Sequence, residues 1–427
     1  LNHTRTFEEI KKSAVDDVQS YYDQVSYGKI KVRGEIIPGW RMLPIRCQYF
    51  NVFKWDYSQQ DMTQIDNTAL AEVDRLAGAS EYQIKFIVYA GKVWGHARSN
   101  PRASFMNENS CSGTYIHELG HVLGLPDYYS YKLSEKGQYS SVNVGPWDVM
   151  SSSSYAGELC SYSKITLGWI QDQQIVDVRD KYQGTFVVDA LSNRTAKIFA
   201  ARIYVTSRVA YYVEVRERLG LDSNVLRYAK PGVVIFRIDE LGNPREGGVT
   251  VIDSHPGSGG NKIETELYDA AFSTGKGGNV SFIDREKDFS IIVLDKVGLS
   301  YKIMLADPAS GELANQANAE VAQAEDSIKQ AENEQRLSGL EKAKDQLNEA
   351  RRAFGRSAFT EATSSARTAV QSANSAVRTS ALQVGFLASS TTILAVTAIG
   401  ILLLLGIVLL MINRRHAYGR RPPSQGI

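Results

Sequence analysis

Cysteine is scarce in this chain: Cys47, Cys111 and Cys160 are the only three among 427 residues. That is too few for a disulfide framework. Cys111 and Cys160 flank the most informative stretch, so a single bridge between them, with Cys47 free, stands open beside three free thiols. An excess of charge of one sign is also missing. The 48 basic and 47 acidic residues leave a formal charge of +1, which excludes a broad nucleic-acid surface. A composition 43% hydrophobic and 22% charged excludes a disordered chain. No signal peptide is visible and the chain begins at Leu1 rather than Met, so either it has been processed or its N-terminus is missing. At 427 residues, two or three domains are expected.

Charge disappears altogether between Arg378 and Arg414, where "FLASSTTILAVTAIGILLLLGIVLLMI" runs from Phe386 to Ile412. This exceeds the roughly 20 apolar residues that cross a bilayer. The sequence therefore predicts one transmembrane helix over 385–412. Arg414, Arg415, Arg420 and Arg421 follow it, so the positive-inside rule makes 413–427 a cytoplasmic basic tail. Everything upstream is then outside, as a single-pass ectoprotein on the cell membrane, with the lipid bilayer as a partner.

Proline is missing from Leu313 to Val384, a stretch rich in Ala, Gln, Asn, Glu, Ser and Lys. Apolar residues recur there at three- and four-residue steps: Val321, Ala324, Ile328, Ala331, then Leu340, Ala343, Leu347, Ala350, Phe354. This is a helical period, with breaks expected at Gly339 and Gly355. We expect an α-helical stalk over 311–384; a coiled coil for oligomerisation is the alternative.

Residues 180–310 read as an all-β sandwich. "GTFVVDAL", "AKIFAARIYV", "AYYVEVRE", "GVVIFRID", "VSFI", "FSIIVL" and "YKIMLAD" are short β-branched or aromatic runs separated by turn residues. Residues 1–179 mix types. "TFEEIKKSAVDDVQSYYDQVS" and "DMTQIDNTALAEVDRLA" have a helical period, while "KIKVRGEII" and "YQIKFIVYAG" read as strands, which makes an α/β domain.

That domain carries "HELGHVLGLPD", residues 117–127. Residues four apart share one helix face, so His117 and His121 can put imidazole nitrogens on one metal ion. Glu118 then points beside the ion, where it can hold a water and act as general base. Zn2+ suits this donor set and lowers the pKa of such a water. Gly124 can adopt positive φ and end the helix, and Pro126 prevents its resumption. The chain then turns back, which lets Asp127 approach as third ligand. Some HExxH enzymes use a later glutamate instead, and Glu158 is the available alternative.

The extended HExxHxxGxxD pattern resembles that of the metzincin zinc peptidases, and its aspartate variant is similar to snapalysin and to the immune inhibitor A family. The latter resemblance covers about residues 5–305. It rests on "YYDQVSYGKIKVRGEIIPGW" (21–40), "VWGHAR" (93–98), "GPWDVMS" (145–151), "SKITLGW" (163–169), "YYVEVRERLGLDSNV" and "PGVVIFRIDE". It implies a metzincin-like, secreted or surface endopeptidase with one catalytic zinc. His117 and His121 take the ligand roles, Glu118 the base role, and Met150 the Met-turn, a methionine lying under the metal without binding it. Tyr155 is the nearest tyrosine after that turn and a candidate for oxyanion stabilisation, although its spacing does not match. In that family a strand precedes the block that begins here near Phe7, and because no such strand is read in this sequence the resemblance implies an N-terminally truncated sequence.

The expected architecture is therefore multidomain: a metallopeptidase domain over 1–179, the sandwich, the stalk, one membrane helix and the tail. Its expected partners are protein or peptide substrates. Calcium is common on secreted proteases, but no loop here has ligand spacing specific to it. Two other readings remain open: an inactive surface adhesion protein on a protease scaffold, and a glutamate-ligand, gluzincin-type protease.

Overall fold

The computed structural model describes residues 3–43, 59–76, 78–90, 98–100, 103–133, 139–140, 143–259 and 263–378. It divides into two compact units. One holds Leu1–Ala319 with Arg352–Thr363, the other Glu320–Arg351 with the residues from 364 onward.

The first unit opens on a helix whose start is written in "TFEE". The Thr6 hydroxyl accepts from Glu9 N, while Thr6 N donates back to the Glu9 carboxylate at 2.8 Å, a capping box. Helix α1 (Phe7–Lys11), a π-helical turn (Lys12–Asp16) and α2 (Asp17–Val25) then run on without a break. Ile10, Ala14, Val18, Tyr21, Tyr22 and Val25 are buried, the apolar stripe that the sequence period predicts. Helix α3 spans Gln59–Asp74. A three-stranded sheet follows, in the order β1-β3-β2. Here β3 (Ala103–Asn107) lies parallel to β1 (Phe86–Tyr89) and antiparallel to β2 (Arg98–Asn100).

The strand expected over 29–37 does not form; residues 30–43 are irregular. Alternation alone gives no ladder when no neighbouring strand accepts the backbone groups. Ile30, Val32 and Ile36 use their period of two to pack on the core instead.

After β3 come α4 (Ser112–Val122), the hairpin of β4 (Ser130–Leu133) and β5 (Tyr139–Ser140), and α5 (Ser161–Thr166). Nine strands then build two sheets. The five-stranded sheet has the order β11-β10-β9-β8-β6. It is made of β6 (Ile175–Val178), β8 (Ala200–Tyr204), β9 (Val209–Arg216), β10 (Gly232–Asp239) and β11 (Val249–Ile252), with the short helix α6 (Asp222–Val225) between β9 and β10. The four-stranded sheet has the order β12-β13-β14-β7. It is made of β7 (Gly184–Asp189), β12 (Ser281–Asp284), β13 (Phe289–Val297) and β14 (Ser300–Ala306). The seven strand runs read from the sequence all form strands, and β6 and β11 join them.

Every residue of β9 is buried, because the five-stranded sheet is covered on both faces. Tyr211, Val213 and Val215 face Phe289, Ile291 and Ile303 of the other sheet. Ala210 and Tyr212 belong instead to the core that holds Val18, Tyr22, Ile116 and Leu119 of the helices. A central sheet of this kind reads as near-continuous apolar sequence rather than as alternation. Residues on either side of position 180 therefore share one core.

The second unit is helical. Its residues come from α7 (Pro308–Asn333), α8 (Leu340–Gly355) and α9 (Phe359–Ser375). Val321, Ala324, Ile328 and Ala331 pack with Leu340, Ala343, Leu347 and Ala350, and with Ala366, Ala369 and Ala373. The small alanine faces let the helices approach closely. Gly339, at φ +88°, lies just before α8, and α8 ends at Gly355, as the sequence breaks predict.

One expectation needs correction and one open alternative is decided. Among the described residues no helix is long and apolar enough to cross a membrane. The apolar segment 385–412 and the tail 413–427 lie outside the described residues. Among the described residues, then, the expected transmembrane helix is not found, and the single-pass anchor, the bilayer as partner and the cell-membrane location that were expected from it are without support. Second, Cys111 and Cys160 are not bridged: Cys111 is an exposed thiol and Cys160 a buried one. Cys47 lies outside the described residues.

Candidate metal centre

The site is built on α4, which holds His117 and His121 one turn apart. Leu123 is the last residue near helical conformation, and Gly124 follows at φ +99°. Gly124 N donates to His121 O at 3.0 Å and Leu125 N to Gly120 O at 3.0 Å. These paired bonds form a Schellman motif, which a side chain at position 124 would strain. The chain reverses there, and Tyr128 N donates to Met150 O at 3.0 Å. That bond fixes Asp127 beside the two imidazoles.

The geometry converges on one point. His117 Nε2 lies 3.0 Å from Asp127 Oδ1, and His121 Nε2 lies 3.1 Å from the same oxygen. The other nitrogen of each ring faces a backbone carbonyl: His117 Nδ1 donates to Val149 O at 2.9 Å, and His121 Nδ1 to Leu125 O at 2.9 Å. A carbonyl can only accept, so in the neutral rings the proton sits on Nδ1 and Nε2 presents a bare lone pair. Three lone-pair donors thus meet within hydrogen-bond distance with no proton of their own to share. Such a set repels itself unless a cation or added protons lie between, so these residues fit a metal ion. Glu118 is buried beside them, and ligand atoms of His117, Glu118 and His121 lie within 4.8 Å of one another.

The electrostatics agree. Burial pushes the Asp127 carboxyl upward, but when added protons occupy the Nε2 atoms, hydrogen bonds from His117 and His121 outweigh it and hold the group well below the usual carboxylate range. Burial pulls the His121 imidazole down, yet the hydrogen bond and charge of Asp127 leave it raised overall.

Met150 is fully buried beneath the helix. A Cβ placed on Gly120 would stand 2.5 Å from Met150 Sδ, so glycine is what lets the methionine lie there. Asp148 ties the turn: its carboxylate accepts from Met150 N at 2.7 Å, Cys160 N at 2.8 Å and Ser163 Oγ at 2.9 Å. Burial nevertheless pushes the Asp148 carboxyl up, against those donors.

Other sequence candidates sit elsewhere. Glu158 is buried with Lys164 Nζ 2.9 Å from its Oε1, and its Oε2 accepts from Ser192 Oγ at 2.7 Å. It is engaged in an internal ion pair rather than with the histidines. Tyr155 ends a 3-10 turn (Ser153–Tyr155), and its hydroxyl pairs with that of Tyr268 at 2.6 Å. Sequence reasoning missed Arg245, whose Nη2 donates to Asp127 Oδ2 at 2.6 Å, and Tyr129, whose ring centroid is 6.1 Å from that of His117. Tyr129 lies two residues past Asp127 and was open to inspection. Arg245 is 118 positions away, and no local pattern points to it.

Two imidazoles and a carboxylate, with a second carboxylate alongside, are donor types that hydrolytic metal centres use. Residues 91–174 match the family model described as immune inhibitor A peptidase M6, catalytic domain. The matched stretch contains all of His117, Glu118, His121, Asp127 and Met150, and it supports an immune inhibitor A-like metallopeptidase. No curated protein matches the chain.

Proposed function

We propose that this chain is a zinc-dependent endopeptidase in which His117, His121 and Asp127 hold the ion and Glu118 is the general base. The observation that carries the reading is the convergence of two Nε2 atoms on Asp127 Oδ1, with both Nδ1 atoms committed to carbonyls. Bound zinc supplies Lewis acidity toward a scissile carbonyl and acidifies water. The work of this chain is then positioning and proton transfer. The Val149 and Leu125 carbonyls lock the ring orientations and keep both Nε2 lone pairs inward. The Glu118 carboxylate takes the proton of the attacking water and returns it to the leaving amine nitrogen. Met150 and Gly120 set the floor under the helix, so the two histidines keep their spacing. Glu158 has a different task, neutralising Lys164 in the interior.

The test is hydrolysis of an unfolded protein substrate by the whole chain and by Glu118→Gln. Loss of a general base should lower kcat by about 100- to 10,000-fold while metal uptake is retained. Equal turnover by the two proteins would reject the assignment of Glu118.

A further inference from the structure

We infer that Arg245 is a positioning residue of the metal centre: it holds Asp127 Oδ2 so that Oδ1 alone faces the two imidazoles. This rests on the reading of His117, His121 and Asp127 as metal ligands.

A carboxylate can turn about its Cβ–Cγ bond and present one oxygen or both. Asp127 is buried, and its two oxygens have different partners, the imidazoles on Oδ1 and the Arg245 guanidinium on Oδ2. The Arg245 contact is charge-assisted at 2.6 Å, the class of hydrogen bond that restrains orientation most strongly.

The residue is delivered from a stiff frame. It sits in a 3-10 turn (Pro244–Glu246) between β10 and β11, opened by Asn243, whose side chain accepts from Arg245 N at 3.1 Å. Pro244 fixes the next φ, and Gly247 turns the chain at φ +93°. A Cβ on Gly248 would lie 2.7 Å from Gly242 O, so the turn closes only with glycine there. Val251 N donates to Asn143 O at 2.6 Å, which pins β11 to the segment leading into the Met150 turn.

Two effects oppose each other. The guanidinium repels a cation, and it also fixes the ligand. Arg245 is 45% exposed, so its charge is screened by solvent, whereas the carboxylate that it orients is buried. Orientation therefore wins, and Arg245 strengthens metal binding. Arg245 lies outside residues 91–174, so the matched stretch does not contain the whole site: the edge of the five-stranded sheet completes it.

The experiment titrates cobalt(II) into the whole chain at one fixed pH and reads both affinity and the visible absorption of the bound ion. It compares the parent with Arg245→Ala, Arg245→Lys and Asp127→Asn, and checks each metal-free protein by circular dichroism. Arg245→Ala should bind about 10- to 100-fold more weakly, the usual cost of losing such a partner, with a shifted absorption band. Arg245→Lys, which keeps the charge but not the fork, should recover part of both changes. Affinity and spectrum unchanged in Arg245→Ala, or tighter binding, would overturn the inference. Should Arg245→Ala fail to fold, Arg245→Lys carries the test, and a lysine variant matching the parent in both readouts overturns it. Failure of the parent to bind cobalt, or unchanged binding by Asp127→Asn, would instead overturn the metal site itself.

Discussion

Gly120 and Met150 meet face to face beneath the histidine helix: a Cβ on Gly120 would lie 2.5 Å from Met150 Sδ and 3.3 Å from its Cε. Both residues belong to the same buried layer as Tyr22, whose hydroxyl donates to Ile116 O at 2.7 Å. The absence of a methyl group at position 120 is therefore part of how α4 is seated. Gly120→Ala should overpack this layer and cost about 1–3 kcal/mol, read by chemical denaturation. Gly113→Ala should cost more, because its Cβ would lie 1.7 Å from the backbone oxygen of Ser153, which has no rotamer with which to yield. Equal and negligible losses would show that α4 is free to shift.

The sequence made the centre of the site legible because its logic is local. Four-residue spacing puts His117 and His121 on one face, and Gly124 ends the helix with the positive φ that its lack of a Cβ permits. Asp127 follows within the same reversal. The strands β9 and β10 were equally legible, since burial on two faces leaves continuous apolar runs. What stayed hidden depends on partners far along the chain. Arg245 gave no local signal, and neither did the contacts of Glu158, the alternative ligand, with Lys164 and Ser192. The run over 29–37 had strand alternation, but whether alternation becomes a ladder depends on a neighbouring strand, not on the run itself. The apolar segment over 385–412 has no counterpart among the described helices.

Lys164 and Glu158 form a buried ion pair, with burial pulling the ammonium down against the raising effect of Glu158. Lys164→Met should leave Glu158 as an uncompensated buried charge and cost about 3–5 kcal/mol. Adding Glu158→Gln to Lys164→Met should recover much of that loss. Denaturation of the two single variants and the double variant gives the coupling directly, and additive losses would contradict the pairing.

Asp189 anchors the end of β7. Its carboxylate accepts from Ser300 Oγ at 2.6 Å, Lys197 N at 2.8 Å and Ile198 N at 3.3 Å. Burial pushes the carboxyl up, but these three donors together bring it below its usual value. A depressed acid stabilises the fold above its unfolded pKa of about 3.9, and that stability is lost as pH falls through the folded value. Asp189→Asn should be less stable than the parent at neutral pH, and the gap should narrow below about pH 4. A gap independent of pH in thermal melts would show that the Asp189 charge is not what these donors stabilise.

The central claim is that three donors, His117, His121 and Asp127, hold one metal ion. Zinc titration of the whole chain, of Asp127→Ala and of Glu158→Gln tests it most directly. One ion per parent chain and a large loss of affinity in Asp127→Ala are expected. Glu158→Gln should retain parental binding. Parental affinity in Asp127→Ala, or loss of zinc in Glu158→Gln with the fold intact, would contradict it.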